Sequence, residues 1–436
     1  MKKFLIFGIY FVNLIIILYF WFLRSGALIN TGPANTMMAL GRLTGLLAVY
    51  LILWQLVLIG RIKLLEKSFG FDRLTNIHHL NGLLAWAFIF LHPVFIILAY
   101  KLNNNISFFK QTLNLVLNWE GMLPALFSVL IFSFIIIVSL AAIKKKVKYE
   151  YWYLVHLFTY WAISLAFEHQ LEYGYTLQDN IFYIYWQAMY VIVIGLLVYY
   201  RLLCPIYNFF KHDFRVEKIE KENDNIASIY ITGKNLKNFN FLPGQFAIFR
   251  FLEGWLSLEA HPFSFSQIKN DKNIRISIKN LGDFSKNIDQ KIKIGTRVVI
   301  DGPHGTFTSE KTKNNKIAMI AGGIGITPIR SLVEEMQHKD CVVLYATSKE
   351  EDIVFKKEFI NFNKPVNIKY IVSNPIEGWF GEKGRVDEEK IKRLIFDYLD
   401  RSFYICGPPQ FRKRIIKTLR KLGVSKRKIY FEKFNF

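Results

Sequence analysis

The chain is 436 residues long, with 52% hydrophobic residues, 16% aromatic residues and a formal net charge of +22. Nearly all of its long apolar runs lie before residue 205, and the remainder has the composition of a soluble protein. Part of the basic charge lies in short loops between apolar runs, which fits membrane orientation better than phosphate recognition and argues against a nucleic-acid-binding protein. The length allows two or three domains.

Six apolar segments in the first half are each near the length needed to cross the hydrocarbon core of a bilayer. We predict membrane spans at residues 4–23, 39–59, 77–100, 122–143, 151–167 and 181–203. The first span follows two lysines but lacks a small-residue cleavage pattern, so we expect it to be retained rather than removed as a signal peptide. Most loop lysines and arginines fall on one side of the spans, and the positive-inside rule therefore predicts that both termini are cytoplasmic.

Two of the predicted spans carry histidines at matching depths. His78 and His92 lie fourteen residues apart in the third span, about 40° short of four full helical turns and separated by roughly 21 Å of rise. His156 and His169 lie thirteen residues apart in the fifth span, so a bulge, a kink or a tilted ring is needed to align them. The predicted orientation places His78 and His156 near the inner surface and the other two toward the outside.

Ionisable side chains inside a membrane span are costly and are therefore functional candidates. Histidine is also a common axial ligand of haem iron. We predict two stacked haems that bridge the two helices, with each iron held by one histidine from each helix. The alternative is that the histidines are polar side chains satisfied inside a helical bundle. Arg42, at the outer start of the second span, could pair with haem propionates or extend to the membrane interface.

The pattern changes after residue 205. Short alternating strands follow and predict an antiparallel β-barrel. From residue 316, apolar strands alternate with helical segments, which predicts a nucleotide-binding α/β sheet with parallel strands. The predicted domains are a transmembrane domain at residues 1–205, a β-barrel domain at 206–310 and an α/β domain at 311–436.

Two short motifs end strands of the predicted α/β sheet. Residues 321–328, AGGIGITP, follow a strand and open a helix, so their backbone amides could bind a pyrophosphate. Residues 406–409, CGPP, end another strand at the carboxyl edge, where ligands bind in such sheets. In the barrel, residues 261–266 (HPFSFS) and 279–285 (KNLGDFS) offer hydroxyls and a basic group. Taken alone, each of these two barrel segments fits a plain turn better than a binding site.

Together with the histidine spacings, these motifs, GPHG at residues 302–305 and the aromatic C terminus FEKFNF resemble the NADPH oxidase and ferric reductase transmembrane superfamily. The resemblance covers nearly the whole chain and is strongest to bacterial NADPH-oxidase-like proteins. It implies a multi-domain membrane protein, in which a six-helix transmembrane bundle precedes a ferredoxin–NADP reductase-like module. The implied cofactors are FAD, two haem b groups and NADPH or NADH, and the implied location is the bacterial plasma membrane.

The resemblance also assigns roles to residues of this sequence. Ser264 would lie near the reactive flavin nitrogen, Cys406 near the nicotinamide, and Phe436 would stack on the flavin ring. The residues implied to bind FAD are His261, Pro262, Phe263, Ser264, Phe265, Ser266, Lys279, Gly282, Asp283, Phe284 and Ser285. Those implied to bind NAD(P)H are Gly322, Gly323, Gly325, Thr327, Pro328, Ser348, Cys406, Gly407 and Pro408.

We therefore expect a transmembrane NAD(P)H oxidase that passes electrons from cytosolic NAD(P)H through FAD and two haems to dioxygen outside, producing superoxide. The alternative is a ferric-chelate or quinone reductase with the same electron path. A non-enzymatic alternative is a six-helix transport or sensor module with a nucleotide-binding tail. Ser348 and Lys349 favour NADPH, whereas Glu350, Glu351 and Asp352 favour NADH. We expect no nucleic acid partner, and the sequence does not specify protein partners.

Overall fold

The computed structural model describes residues 2–143, 146–147, 149–362 and 366–432. The chain divides into two compact units. The first comprises Met1–Phe69 and Arg73–Tyr199, and the second comprises Gly70–Asp72 and Tyr200–Phe436. The three domain boundaries expected from the sequence remain a prediction.

The first unit is built from helices. In chain order they are α1 (Lys2–Ser25), α2 (Pro33–Ile59), α3 (Lys63–Phe69), α4 (Phe71–Asn104), α5 (Phe108–Asn118), α6 (Met122–Ile143), α7 (Tyr149–Tyr173) and α8 (Asn180–Val198). After α8 the chain forms a π-helical turn at Tyr199–Leu203 and then α9 (Cys204–His212), which belongs to the second unit. Helical structure therefore extends beyond the predicted end at residue 203. Pro205 does not end it, because this proline lies in the first turn of α9, where proline is tolerated.

Within the described residues, five helices are long and apolar enough to cross a membrane, rather than the six predicted. They are Lys2–Leu28, Pro33–Ile59, Arg73–Asn104, Met122–Ala142 and Asn180–His212. The remaining predicted span, residues 151–167, lies in α7, whose tyrosine, tryptophan and histidine side chains lower its hydropathy. Large apolar side chains on these helices face outward, as shown by Ile137 at 64% exposure and Val191 at 71%. Such surfaces suit lipid rather than water.

Two three-stranded antiparallel sheets form the first part of the second unit, as the alternating pattern predicts. One sheet has the order β1-β2-β5 and the other the order β4-β3-β6. Fully buried phenylalanines such as Phe249, Phe251 and Phe265 fill their core. The strands are β1 (Arg215–Asn223), β2 (Ile226–Thr232), β3 (Phe246–Phe251), β4 (His261–Ser264), β5 (Ile274–Lys279) and β6 (Val298–His304), with a short helix α10 (Ile288–Lys291) before β6.

The rest of the second unit is an α/β fold around a six-stranded parallel sheet of order β10-β9-β8-β7-β11-β12, which confirms the predicted class. The central strands are almost continuously apolar, as expected when helices cover both faces. The strands are β7 (Lys316–Gly322), β8 (Asp340–Thr347), β9 (Asn367–Val372), β10 (Glu382–Lys383), β11 (Ser402–Cys406) and β12 (Ile429–Phe431). The helices are α11 (Ile326–Glu335), α12 (Lys356–Asn361), α13 (Glu388–Leu394) and α14 (Pro409–Lys421).

Candidate redox-cofactor sites

Helices α4 and α7 bring together, as two pairs, the four histidines for which the sequence predicts a haem-binding role. The ring centroids of His78 and His156 are 6.1 Å apart, and those of His92 and His169 are 6.0 Å apart. The two rings of each pair are inclined at 59° and 56° respectively. No bulge interrupts α7 between its two histidines. Inclined rings, rather than a break in the helix, therefore accompany the thirteen-residue spacing.

The spacing within each pair fits one metal ion between two imidazoles. Metal–nitrogen bonds of about 2.0–2.1 Å, with the ring nitrogen roughly 1.1 Å from its centroid, separate the centroids of two opposite ligands by roughly 6.3 Å. The Nδ1 atom of His169 is also buried with no hydrogen-bond partner among the described residues. The described part of the chain has no group of three or more potential metal ligands. Two imidazoles would not complete a zinc site, which takes four ligands, but they could serve as the two protein ligands of a haem iron.

The imidazole of His92 is held by α2. Its Nδ1–H donates to the carbonyl oxygen of Gly41 at 2.7 Å, which leaves Nε2 with the lone pair that a metal requires. The same helix approaches His92 closely at Gly45, where a Cβ atom would lie only 2.8 Å from His92 Nδ1. The spacing of Gly41 and Gly45 is the small-xxx-small pattern that lets membrane helices pack closely. The two glycines are visible in the sequence, but the sequence alone does not show which side chain packs against them.

We expect Gly45→Val to displace the His92 imidazole, because the new side chain would occupy space that the ring fills. If each histidine pair holds one haem, as the sequence predicts, the haem content of the purified protein, measured as a pyridine haemochrome, should fall from about two groups per chain to about one. Gly195→Val is the matched control, since nothing lies within 4 Å of a Cβ at that helical glycine. Full haem content in Gly45→Val would show that this contact does not position the ligand.

Arg42 already has protein partners at the start of α2. Its guanidinium carbon lies 3.9 Å from the centroid of the Tyr175 ring, and its Nη1 donates to Ser25 Oγ at 3.3 Å. The side chain is half-buried and packs on an aromatic ring, as guanidinium groups often do. A role in binding a haem propionate stays a prediction.

The two barrel motifs meet through aromatic contacts. The ring of Phe284 lies 3.9 Å from that of His261 and 6.2 Å from that of Phe263, measured between centroids. Strand β4, which contains His261, Pro262, Phe263 and Ser264, is at the edge of its sheet. The structure thus places these segments side by side, as a shared flavin site requires.

Other residues of the barrel motifs have structural partners. Phe265 is in the barrel core, and the hydroxyl of Ser266 is within 3.0 Å of the Ser277 hydroxyl. The hydroxyl of Ser285 accepts hydrogen bonds from the backbone amides of Leu281 and Gly282 and so closes its own turn. Asp283 and Lys279 contact other segments. The backbone oxygen of Asp283 accepts a hydrogen bond from Lys291 Nζ at 2.6 Å, and Lys279 Nζ lies 3.4 Å from Asp352 Oδ1.

The two motifs of the α/β part also lie together. Strands β7 and β11 are parallel neighbours with Ala321 opposite Cys406, so both motifs fall at the carboxyl edge of the sheet. A Cβ atom on Gly325 would lie 2.5 Å from the Cys406 carbonyl oxygen, so only glycine fits there. Gly323 has a φ of +54°, which favours glycine. Burial raises the pKa of the Cys406 thiol well above its usual value and keeps it protonated.

The other predicted nucleotide-site residues surround this edge. Thr327 donates from Oγ1 to the Ile324 carbonyl at 3.0 Å and so supports the first turn of α11, which also contains Pro328. Gly322 packs against the Phe411 ring, and Gly407 and Pro408 lead into α14. Ser348 is exposed just after β8, the neighbour of β7. Phe436 lies outside the described residues, so its predicted stacking role stays a prediction.

Three family models match successive parts of the chain. They describe a ferric reductase like transmembrane component at residues 44–167, an FAD-binding domain at residues 211–308 and an oxidoreductase NAD-binding domain at residues 319–417. With the parallel and antiparallel sheets and the five apolar helices, they define an integral membrane oxidoreductase that carries FAD- and NAD-binding domains. These three domains, in this order, match the domain architecture of the NADPH oxidase and ferric reductase transmembrane superfamily.

Two individual relatives match the chain at 30% identity or less and over about half of its length. The chain is 28% identical to a flavohemoprotein of Oceanobacillus iheyensis over 51% of this chain and 58% of that protein. It is 30% identical to the sulfhydrogenase 2 subunit gamma of Pyrococcus furiosus over 44% of this chain and 72% of that protein. The FAD/NAD binding domain of nitric oxide dioxygenase from Vibrio cholerae O1 biovar El Tor has 23% identity and a TM-score of 0.45, over 51% of this chain and 98% of that one. The chain thus spans less than two thirds of the length of the flavohemoprotein.

Proposed function

We propose that this protein is a transmembrane NAD(P)H oxidase that passes electrons from cytosolic NAD(P)H through FAD and two bis-histidine haems to dioxygen on the outer side, producing superoxide. The main support is the occurrence, in one chain with FAD- and NAD-binding domains, of two histidine pairs at 6.0–6.1 Å on two helices of the first unit. When bound, the flavin and the haems supply the redox chemistry, and the protein supplies binding and orientation.

The residues of the chain have separate tasks in this proposal. The turn containing Gly323 and Gly325 binds the pyrophosphate of the nucleotide, and the protonated thiol of Cys406 lies beside the nicotinamide. Ser264, at the end of the edge strand β4, presents its hydroxyl to the flavin. The pairs His78–His156 and His92–His169 would each hold one haem, and the haems would supply one-electron transfer toward the acceptor.

A ferric-chelate or quinone reductase is the second candidate. It is favoured by the match of residues 44–167 to a ferric reductase like transmembrane component. The two candidates share every residue assigned above and differ only in the acceptor. In both, an electron that moves outward from a negative interior gains about 2.3 kcal/mol per 100 mV of membrane potential.

Spectra and acceptor assays on one purified sample test the proposal. Full-length protein in detergent should show a bis-histidine haem spectrum with two haems per chain, and NADPH or NADH should reduce first the flavin and then the haems. Superoxide-dismutase-sensitive cytochrome c reduction should accompany oxygen consumption. Ferric-chelate reduction without superoxide would favour the second candidate, and a colourless protein would overturn both.

We expect Glu351→Gln to shift nucleotide preference toward NADPH. Lys349 Nζ pairs with Glu351 Oε1 at 2.9 Å near the end of β8, and both side chains are exposed. Removing the carboxylate frees Lys349 for a 2′-phosphate, and the ratio of kcat/KM for NADPH to that for NADH should rise about two- to fivefold, the range expected of exposed ion pairs. Glu220→Gln, in the exposed pair with Lys218 on β1, should leave the ratio unchanged. An unchanged ratio in Glu351→Gln would exclude Lys349 from nucleotide selection.

A further inference from the structure

A buried arginine joins the barrel to the α/β part of the second unit. The Arg275 side chain on β5 is only 4% exposed, and each of its three guanidinium nitrogens has an acceptor. Nη2 donates to Glu222 Oε1 on β1 at 2.6 Å, and Nη1 donates to both carboxylate oxygens of Glu358 on α12 at 2.8 and 2.9 Å. Nε donates to Ser228 Oγ on β2 at 3.1 Å. The guanidinium is therefore held both by barrel strands and by a helix of the α/β part.

A chain of hydroxyls leads from Arg275 to the predicted flavin strand. Ser228 Oγ lies 2.7 Å from Ser277 Oγ, which in turn lies 3.0 Å from Ser266 Oγ. All three serines are buried, so water cannot replace these contacts easily. Ser266 is the last residue of the HPFSFS motif. Movement of the HPFSFS segment would therefore change the hydrogen bonds that lead to Arg275.

On the other side, the same carboxylate leads to the nucleotide-binding helix. Glu358 Oε2 accepts from Arg330 Nε on α11 at 2.7 Å. Arg330 also pairs with Glu334, whose Oε2 accepts from the backbone amide of Ile268 at 3.2 Å. Because α11 begins at Ile326, directly after the glycine turn, its position sets the position of that turn. Ile268 is two residues beyond Ser266, so the network forms a closed loop between the two predicted sites.

We propose that Arg275 and Glu358 are positioning residues that couple the flavin site and the nucleotide site, and this proposal rests on the proposed function. Binding of FAD then raises the affinity for the nucleotide, and binding of the nucleotide raises the affinity for FAD. Desolvated charges are stable only when fully paired, which restricts the network to few arrangements. Any ligand that favours one arrangement at one site therefore favours it at the other, and the coupling is reciprocal.

The coupling can be measured as a ratio of dissociation constants. Full-length protein in detergent, stripped of FAD, is titrated with FAD by flavin fluorescence in the absence and presence of saturating NADP⁺. We expect NADP⁺ to tighten FAD binding at least about fivefold in the unaltered protein, the lower end of typical couplings. In Glu358→Gln the ratio should fall toward one, whereas the FAD dissociation constant without NADP⁺ should change less than the ratio does.

Two further variants separate positioning from folding. Arg330→Lys keeps the charge but loses the planar fork of donors, and it should lower the ratio without leaving a half-buried carboxylate without a cation. Glu388→Gln removes a partly exposed carboxylate that pairs with Lys392 and Lys421, outside the Arg275 network, and should keep the full ratio. A merely structural network would lower thermal stability in the buried variants and leave the ratio unchanged.

A ratio of one in the unaltered protein, or an unchanged ratio in Glu358→Gln and Arg330→Lys, would overturn the coupling. Neither result depends on the electron acceptor. Uncoupled binding in a protein that makes superoxide would therefore reject the coupling alone. Coupled binding in a protein that makes no superoxide would support the coupling and reject the proposed acceptor.

Discussion

Replacing His169 with alanine is expected to abolish superoxide production while flavin reduction by NAD(P)H continues. His169 lies on α7 at 6.0 Å from His92, and its loss removes one of the two protein ligands proposed for the outer iron. Activity should fall by at least about a hundredfold, because losing only the groups that orient a metal-binding histidine already costs about 10–100-fold. The nucleotide and flavin motifs lie in the other unit, so flavin bleaching by NAD(P)H should keep its rate.

Absorbance spectroscopy and cytochrome c reduction on the same sample test this result. The haem content should fall from about two groups per chain to about one, which separates loss of a cofactor from loss of an acceptor site. His338→Ala is the control, since His338 is an exposed histidine of the second unit. Superoxide production at an unaltered rate in His169→Ala would remove the outer haem from the proposed electron path.

A valine at Gly325 should block the use of NAD(P)H. Its Cβ would lie 2.5 Å from the Cys406 carbonyl oxygen and 2.7 Å from the Gly407 amide nitrogen. These are backbone atoms of the neighbouring motif and cannot move aside as a side chain can, so the two turns must separate. Overpacking of this kind costs about 1–3 kcal/mol, and we expect the KM for NAD(P)H to rise by up to about a hundredfold.

Dithionite supplies the internal control for this variant. It reduces the cofactors without the nucleotide site, so their anaerobic reduction by dithionite, followed by absorbance, should be equal in Gly325→Val and the unaltered protein. Loss of reduction by both NAD(P)H and dithionite would indicate general misfolding. A normal KM for NAD(P)H would show that the turn at Gly325 does not bind the nucleotide.

The sequence predicted the fold well because each half has its own regular pattern. Apolar runs of bilayer length and buried strands that end in glycine turns depend on nearby residues alone. The exceptions were also local. The change of pattern at Pro205 predicts the end of the helical region, but proline is tolerated in the first turn of a helix and the helix continues to His212. The length of the apolar run at residues 151–167 predicts a membrane span. The aromatic and histidine content of α7 lowers its hydropathy, however, and α7 is not among the five described helices that are apolar enough to cross a membrane.

The candidate sites were less predictable, because they depend on packing between distant segments. The charge of the loops indicated which histidines have similar depth, but not the 6.0–6.1 Å between their rings. The support of His92 by the Gly41 carbonyl depends on how two helices pack. The Arg275 network joins residues from Glu222 to Glu358, and no local pattern of the sequence marks such a set.

The buried thiol of Cys406 bears on how long such a protein can work. Peroxides oxidise the thiolate form of cysteine far faster than the protonated form, and the first product is a sulfenic acid. Because burial holds Cys406 in its protonated form, its sulfur, which we propose lies beside the nicotinamide, is poorly reactive toward peroxides. Resistance of this sulfur to oxidation is therefore provided by the same packing that shapes the proposed nucleotide site.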